Sequence, residues 1–215
     1  MTSALSTLHP RAARTRAALL SAGLELLAER PMDAIAIDEV VNRAGVAKGS
    51  FFNHFDDKAA FAQALGAEVR AGLEQQVAAA NRGVEDPVAR LAGGMRVAVA
   101  FALADRKRAI VMQRGMEPVT GQHHDLNRGI RADVERLIAA GLARPEAAGS
   151  GVRYWLGLCQ IAMMNIIERQ PDRADAAARL RDMLVLGLAG LGVPEERAHR
   201  VAQAAAAQLL DETAA

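Results

Sequence analysis

Apolar residues recur at helical spacing along the chain. Between Arg11 and Arg30, Leu20, Leu24 and Leu27, backed by Leu19, Gly23 and Leu26, follow the i, i+4, i+7 pattern of an amphipathic helix. Pro31 stops it. Ile37, Val40, Val41 and Ala44 repeat the pattern over two turns and are followed by Gly45, which permits the left-handed backbone that ends a helix. A third short segment, Lys48 to Phe55, carries Phe51, Phe52 and Phe55, three of the five phenylalanines of the chain. Asp56 and Asp57 then offer an N-cap for a long helix from Lys58 to about Ala80. Further helical runs are expected at about 88–104, 106–116, 123–141, 146–169, 173–191 and 195–212, each bounded by Gly, Pro or Asp. Neither an internal repeat nor a strand-like alternation of useful length is present. The expected fold is all-α: a three-helix head over 11–57, joined by the long helix to a larger helical body over 58–215.

Two runs are apolar nearly all round. In 146–169, Tyr154, Leu158, Ile161 and Asn165 share one stripe, while Trp155, Cys159, Ala162, Met163 and Ile166 cover much of the rest. The run Met183–Leu191 is similar, with glycines that allow close approach. Such helices need partners on several sides. Two from each of two subunits would form a four-helix interface by two-fold symmetry, so a homodimer through about 146–169 and 173–191 is expected.

Composition narrows the class. The 215 residues hold 51% hydrophobic and 3% aromatic side chains, with 26 basic against 25 acidic groups. This excludes a disordered chain and favours helices over strands. One cysteine, Cys159, cannot form an internal disulfide and suits a reducing interior. The longest uncharged run, Tyr154 to Ile167, has 14 residues, short of the roughly 20 that span a bilayer. The N-terminal apolar patch runs directly into Glu25 and Glu29 without a cleavage-like site. A cytoplasmic location and no membrane partner are expected.

The head carries the informative constellation. Two short helices joined by a glycine turn, Asp38–Ala44 and Lys48–Phe55, have the dimensions of a helix-turn-helix, whose second helix enters the DNA major groove. At about 100° per residue, Phe51, Phe52 and Phe55 fall on one side and Gly49, Ser50, Asn53 and His54 on the other. The phenylalanines read as core, with the edge of Phe52 within reach of DNA. The opposite face is small and polar, suited to base edges and phosphates. Lys48 and Lys58 stand at helix starts, where backbone N–H groups also favour phosphate, and Arg43 flanks the segment.

The stretch Ile37-Asp38-Glu39-Val40-Val41-Asn42-Arg43-Ala44-Gly45-Val46-Ala47-Lys48-Gly49-Ser50-Phe51-Phe52-Asn53-His54-Phe55-Asp56-Asp57-Lys58 resembles the N-terminal signature of TetR-type transcriptional regulators. The resemblance covers roughly residues 11–60 and is specific, because the run combines turn, cap and core positions. It implies a homodimer, a DNA-binding head, and a helical body that holds a small-molecule effector and the dimer interface. It also exposes departures. Ala36 and Ala47 stand where the family usually has Ser or Thr caps, and Phe52 where it usually has a phosphate-contacting tyrosine. Charge departs too, since residues 1–58 hold seven basic and seven acidic groups, whereas DNA-binding heads are usually basic.

The expected function is therefore a homodimeric repressor that releases a palindromic operator when a small molecule binds the body. Its DNA-binding set is Arg43, Lys48, Gly49, Ser50, Phe52, Asn53, His54 and Lys58. An effector pocket is expected among Phe101, Met112, Met116, Trp155, Cys159 and Met163, with Arg96, Arg108, Gln113 or Arg114 to orient a polar group. Two rival readings stand beside it: a protein-interaction module with weakened DNA binding, and a helical enzyme or metal carrier. The second has no motif behind it. His123 and His124 point about 100° apart on a helix without matching Cys/His spacing, and no phosphate loop or zinc-protease string occurs. No cofactor or catalytic residue is expected. The role of the last helix, 195–212, is open.

Overall fold

The computed structural model describes residues 10–115 and 127–212. These form ten α-helices: α1 (Pro10–Glu29), α2 (Ile37–Ala44), α3 (Lys48–Phe52), α4 (Lys58–Ala80), α5 (Pro87–Ala104), α6 (Arg106–Gly115), α7 (Arg128–Ala139), α8 (Ala147–Arg169), α9 (Arg173–Leu191) and α10 (Glu195–Asp211), with a 3-10 turn at Met32–Ala34. No strand occurs among the described residues, so the fold is all-α as expected. Met116 and the pair His123 and His124 lie outside the described residues. The chain divides into two compact units, one from Met1–Val69 with Ile110–Met116, the other from Arg70–Ala109 with Glu117–Ala215.

The N-terminal unit is built on an aromatic nucleus. Phe51, Phe55 and Phe61 are buried, and their rings meet edge-to-face or tilted, with centroids 4.9–5.6 Å apart. Leu19, Leu26, Leu27, Ile35, Val40 and Leu65 close the core around it. α1 comes close to α4 at Gly23, where an added Cβ would run into the Phe61 ring. α2 ends at Gly45, whose φ of 66° is the left-handed conformation that glycine adopts without strain. Its N–H reaches the carbonyl of Asn42, and Val46 N–H that of Val41.

α3 is shorter than the spacing predicts, ending at Phe52 rather than Phe55. The amides of His54 and Phe55 both turn back onto the Phe51 carbonyl. This closing turn buries Phe55 without making it helical. Asp57 Oδ1 then accepts from Ala60 N–H at 2.7 Å and caps α4.

In the C-terminal unit α5 is the core helix, with Leu91, Met95, Val99 and Ala102 all buried. It is long and apolar enough to cross a membrane, yet more than half of it is packed inside the protein, as in the core helix of a globular body. Arg90 on α5 donates from Nε to Asp133 Oδ1 on α7 at 2.5 Å and from Nη1 to the carbonyls of Asn81 and Val84 at 2.9 and 3.2 Å. Buried Asn81 donates back to the Arg90 carbonyl at 2.9 Å. These bonds satisfy the side-chain N–H of buried Asn81 and the carbonyls of Asn81 and Val84 in the turn after α4.

α8 and α9 pair through small residues. Trp155 and Leu158 pack against Gly187, and the Tyr154 hydroxyl against Gly190. α10 lays Ala198, Ala202, Ala206 and Leu209 onto the rest of the unit, chiefly α9 and α5. Just past its end Glu212 pairs with Arg96, whose burial lowers its pKa.

Candidate nucleic-acid interface

α2, the Gly45 turn and α3 make the helix-turn-helix. Ala36 and Ala47 sit at the N-caps of α2 and α3 with extended backbone and no side-chain cap bond. The short α3 is therefore held less by its caps than by Phe51, which is fully buried beneath it. At about 100° per residue, Lys48, Gly49, Phe52 and Asn53 span an arc of about 140° on the side away from Phe51. All four are exposed, as is Arg43, while Ser50, His54 and Lys58 are half-buried.

Phe52 corrects the sequence reading. The expected three-phenylalanine core face is a two-phenylalanine face, and Phe52 is 52% exposed with its ring edge-on to Phe51 at 5.5 Å. Because α3 ends at Phe52, the helical phase that grouped it with Phe55 does not run that far. Gly49 is open, since a Cβ there would meet nothing of the chain within 4 Å. Nothing inside the head demands glycine at this position.

Three of the seven acidic groups in residues 1–58 pair with cations of the head. Arg43 Nη1 donates to Glu25 Oε2 at 3.0 Å, and Lys48 Nζ lies 2.8 and 3.1 Å from the two carboxylate oxygens of Asp38. Arg30 pairs with Glu39, and Arg16 with Glu68 at 3.5 Å while lying over the Phe55 ring. Lys58 Nζ donates to the Asp33 carbonyl at 3.2 Å. These acidic partners are adjacent in space and remote in sequence, which is why spacing alone did not single out Glu25 or Asp38.

The residues named for an effector pocket separate. Phe101, Trp155 and Met163 are buried in the C-terminal unit and Cys159 is on α8 beside them, whereas Met112, also buried, falls in the N-terminal unit. Burial, reinforced by the nearby Glu74 carboxylate, pushes the Cys159 thiol up to about 12. Burial also raises Glu74 itself, against the opposing pull of Arg70, which donates to it at 3.4 Å and to Asn127 at 2.7 Å. This ionisable pair on α4 was missed, because α4 shows no clear amphipathic stripe to tell its inner face. Of the polar candidates, Arg96 is committed to Glu212 and Arg114 to the Leu27 carbonyl at 2.6 Å. Arg108 Nε and Asn165 Oδ1 are buried without a hydrogen-bond partner among the described residues. No group of three or more His, Cys, Asp or Glu side chains among the described residues is arranged to hold a metal ion.

Residues 19–65 match the family model for bacterial regulatory proteins of the tetR family. Over 56 residues the chain is 41% identical to the transcriptional regulator AcuR of Cereibacter sphaeroides, a match that spans 26% of this chain and 26% of that relative. Among solved structures, a tetR family transcription regulator from Shewanella sp. PV-4 superposes with a TM-score of 0.73 at 19% identity, over 84% of this chain and 99% of that one. RolR bound to resorcinol gives 0.65 at 22% identity, over 89% and 94%. FadR from Bacillus subtilis bound to stearoyl-CoA gives 0.65 at 16% identity, over 81% and 98%. At these identities the solved structures speak for the fold, and the match over residues 19–65 shows that the head is similar to the DNA-binding head of the tetR family of bacterial regulatory proteins.

Proposed function

We propose that the protein is a homodimeric DNA-binding transcriptional repressor, released from a palindromic operator when a small molecule binds its C-terminal unit. The carrying observation is the α3 surface: Lys48, Gly49, Phe52 and Asn53 stand outward on a helix anchored from behind by buried Phe51. Phosphate contacts from Arg43, Lys48 and Lys58 set the position of the head, and Ser50, Asn53 and His54 reach for base edges. Phe52, exposed and without a hydroxyl, supplies apolar contact rather than a phosphate bond. Acting on DNA places the protein in the cytoplasm.

Dimerisation is supported by the apolar side chains left outside on α8 and α9, namely Tyr154, Ile161, Met164 and Leu186. Two heads then read half-sites about 34–36 Å apart or a multiple of that spacing. The effector reading is supported by the buried, unpartnered Arg108 Nε and Asn165 Oδ1 and by the resorcinol and stearoyl-CoA bound to two proteins of this fold. The effector favours release to the extent that it binds the DNA-free state more tightly, with α4 as the connecting element. The test is selection by the purified full-length chain from a random duplex library. Enrichment of a two-fold symmetric sequence is expected; recovery of no sequence above background would sink the proposal in favour of the interaction-module reading.

A further inference from the structure

Each cation assigned to phosphate is already held by an acceptor of the head itself. Two of those acceptors are carboxylates: Glu25 on α1 for Arg43 and Asp38 in the first turn of α2 for Lys48. Both pairs lie in the open, with the Lys48 and Asp38 side chains about equally exposed at 60% and 61%. Exposed pairs of this kind contribute little to the fold. Lys58 differs, because its acceptor is the neutral Asp33 carbonyl. A phosphate that approaches Lys48 or Arg43 therefore meets a carboxylate already in its place, and on binding must displace it and lie beside it.

We propose that Asp38 and Glu25 are built-in competitors of DNA phosphate, holding Lys48 and Arg43 in ion pairs that open when the head engages a duplex and so setting its affinity and salt dependence. The inference rests on the DNA-binding reading above. DNA binding is then an exchange of anions around a fixed cation. Removing the internal anion leaves the cation in place, strengthens its hold on phosphate and removes a repulsive charge. Because exposed pairs are screened by salt, the advantage is greatest at low ionic strength.

The experiment measures binding of full-length wild type, Asp38→Asn and Glu25→Gln to two labelled duplexes, one recovered by selection and one of unrelated sequence, from about 50 to 200 mM salt. Each substitution is expected to tighten binding at low salt by about 2–5-fold per head, or about 4–25-fold for two heads. The gain shrinks as salt rises, so the salt slope steepens. In a Lys48→Ala background most of the Asp38→Asn gain is expected to vanish. Glu196→Gln, which removes an equal charge from exposed α10, is expected to change binding little. Thermal melts check that the variants keep their fold, and Glu25→Gln leaves the first turn of α2 untouched. Unchanged or weaker binding by both folded variants overturns the inference, as does an equal gain from Glu196→Gln or a full gain without Lys48. Failure of every protein on both duplexes instead removes the DNA-binding reading and the inference with it.

Discussion

Phe51 and Phe52 are neighbours with opposite fates, and stability separates them. Phe51→Ala deletes a fully buried ring at the centre of an aromatic nucleus and is expected to cost about 3–5 kcal/mol. Phe52→Ala removes a half-exposed ring touching Phe51 by one edge and is expected to cost about 1 kcal/mol or less. Thermal or urea unfolding of the two variants measures the difference; equal losses would place Phe52 in the core after all. Cys159 offers a second residue-scale expectation. With its thiol pushed up to about 12, the thiolate at pH 8 is scarcer by about three orders of magnitude than in the unfolded chain. A thiol reagent is thus expected to label the folded protein far more slowly than the urea-unfolded one, and equal rates would refute the burial. The sign for stability follows. A folded value above the unfolded one means that the thiol's contribution is present below its ordinary pKa and is lost as pH rises toward about 12.

At the scale of elements, the C-terminal unit is tied together where α4 hands over to α5. Arg90 reaches Asp133 on α7 and two carbonyls of the connecting turn, and Asp133 also receives Arg136 at 3.4 Å. Asp133 is buried, so Asp133→Ala leaves the guanidinium of Arg90 inside the protein without its carboxylate. A loss of about 3–5 kcal/mol is expected, read as a lowered denaturant midpoint; a midpoint unchanged from wild type would contradict this role. The helix pattern was legible at this scale because the 3.6-residue period and its Gly, Pro and Asp boundaries are local features. The end of α3 was not. The periodicity of Phe51, Phe52 and Phe55 continues through a turn that is fixed by backbone bonds to the Phe51 carbonyl and by Phe55 finding Phe61.

For the whole molecule, the exposed apolar side chains of α8 and α9 are a feature that a single chain leaves unsatisfied. Ile161 and Leu186 are 58% and 72% exposed. Light scattering of the wild type is expected to give twice the mass of one chain. The double variant Ile161→Glu with Leu186→Glu is expected to give the mass of one chain with helicity retained, because charges cannot be buried unpaired in an apolar interface. A double variant that remains dimeric would move the interface elsewhere.

The sequence by itself determined the all-α class, the helix-turn-helix and its tetR-type signature, because these rest on local period, turn glycine and a short run of core aromatics. It also determined that the head is charge-balanced. Only the tertiary structure decided how that balance is arranged. Glu25 meets Arg43 across 18 positions and Asp38 meets Lys48 across 10, distances along the chain over which no periodicity constrains a charge. The same limit applies in the body, where Cys159 and the Arg70–Glu74 pair, remote in sequence, come together and the residues named for one pocket divide between two units. Helical period says which face of a segment is apolar; which ionisable groups face one another is settled when the helices pack.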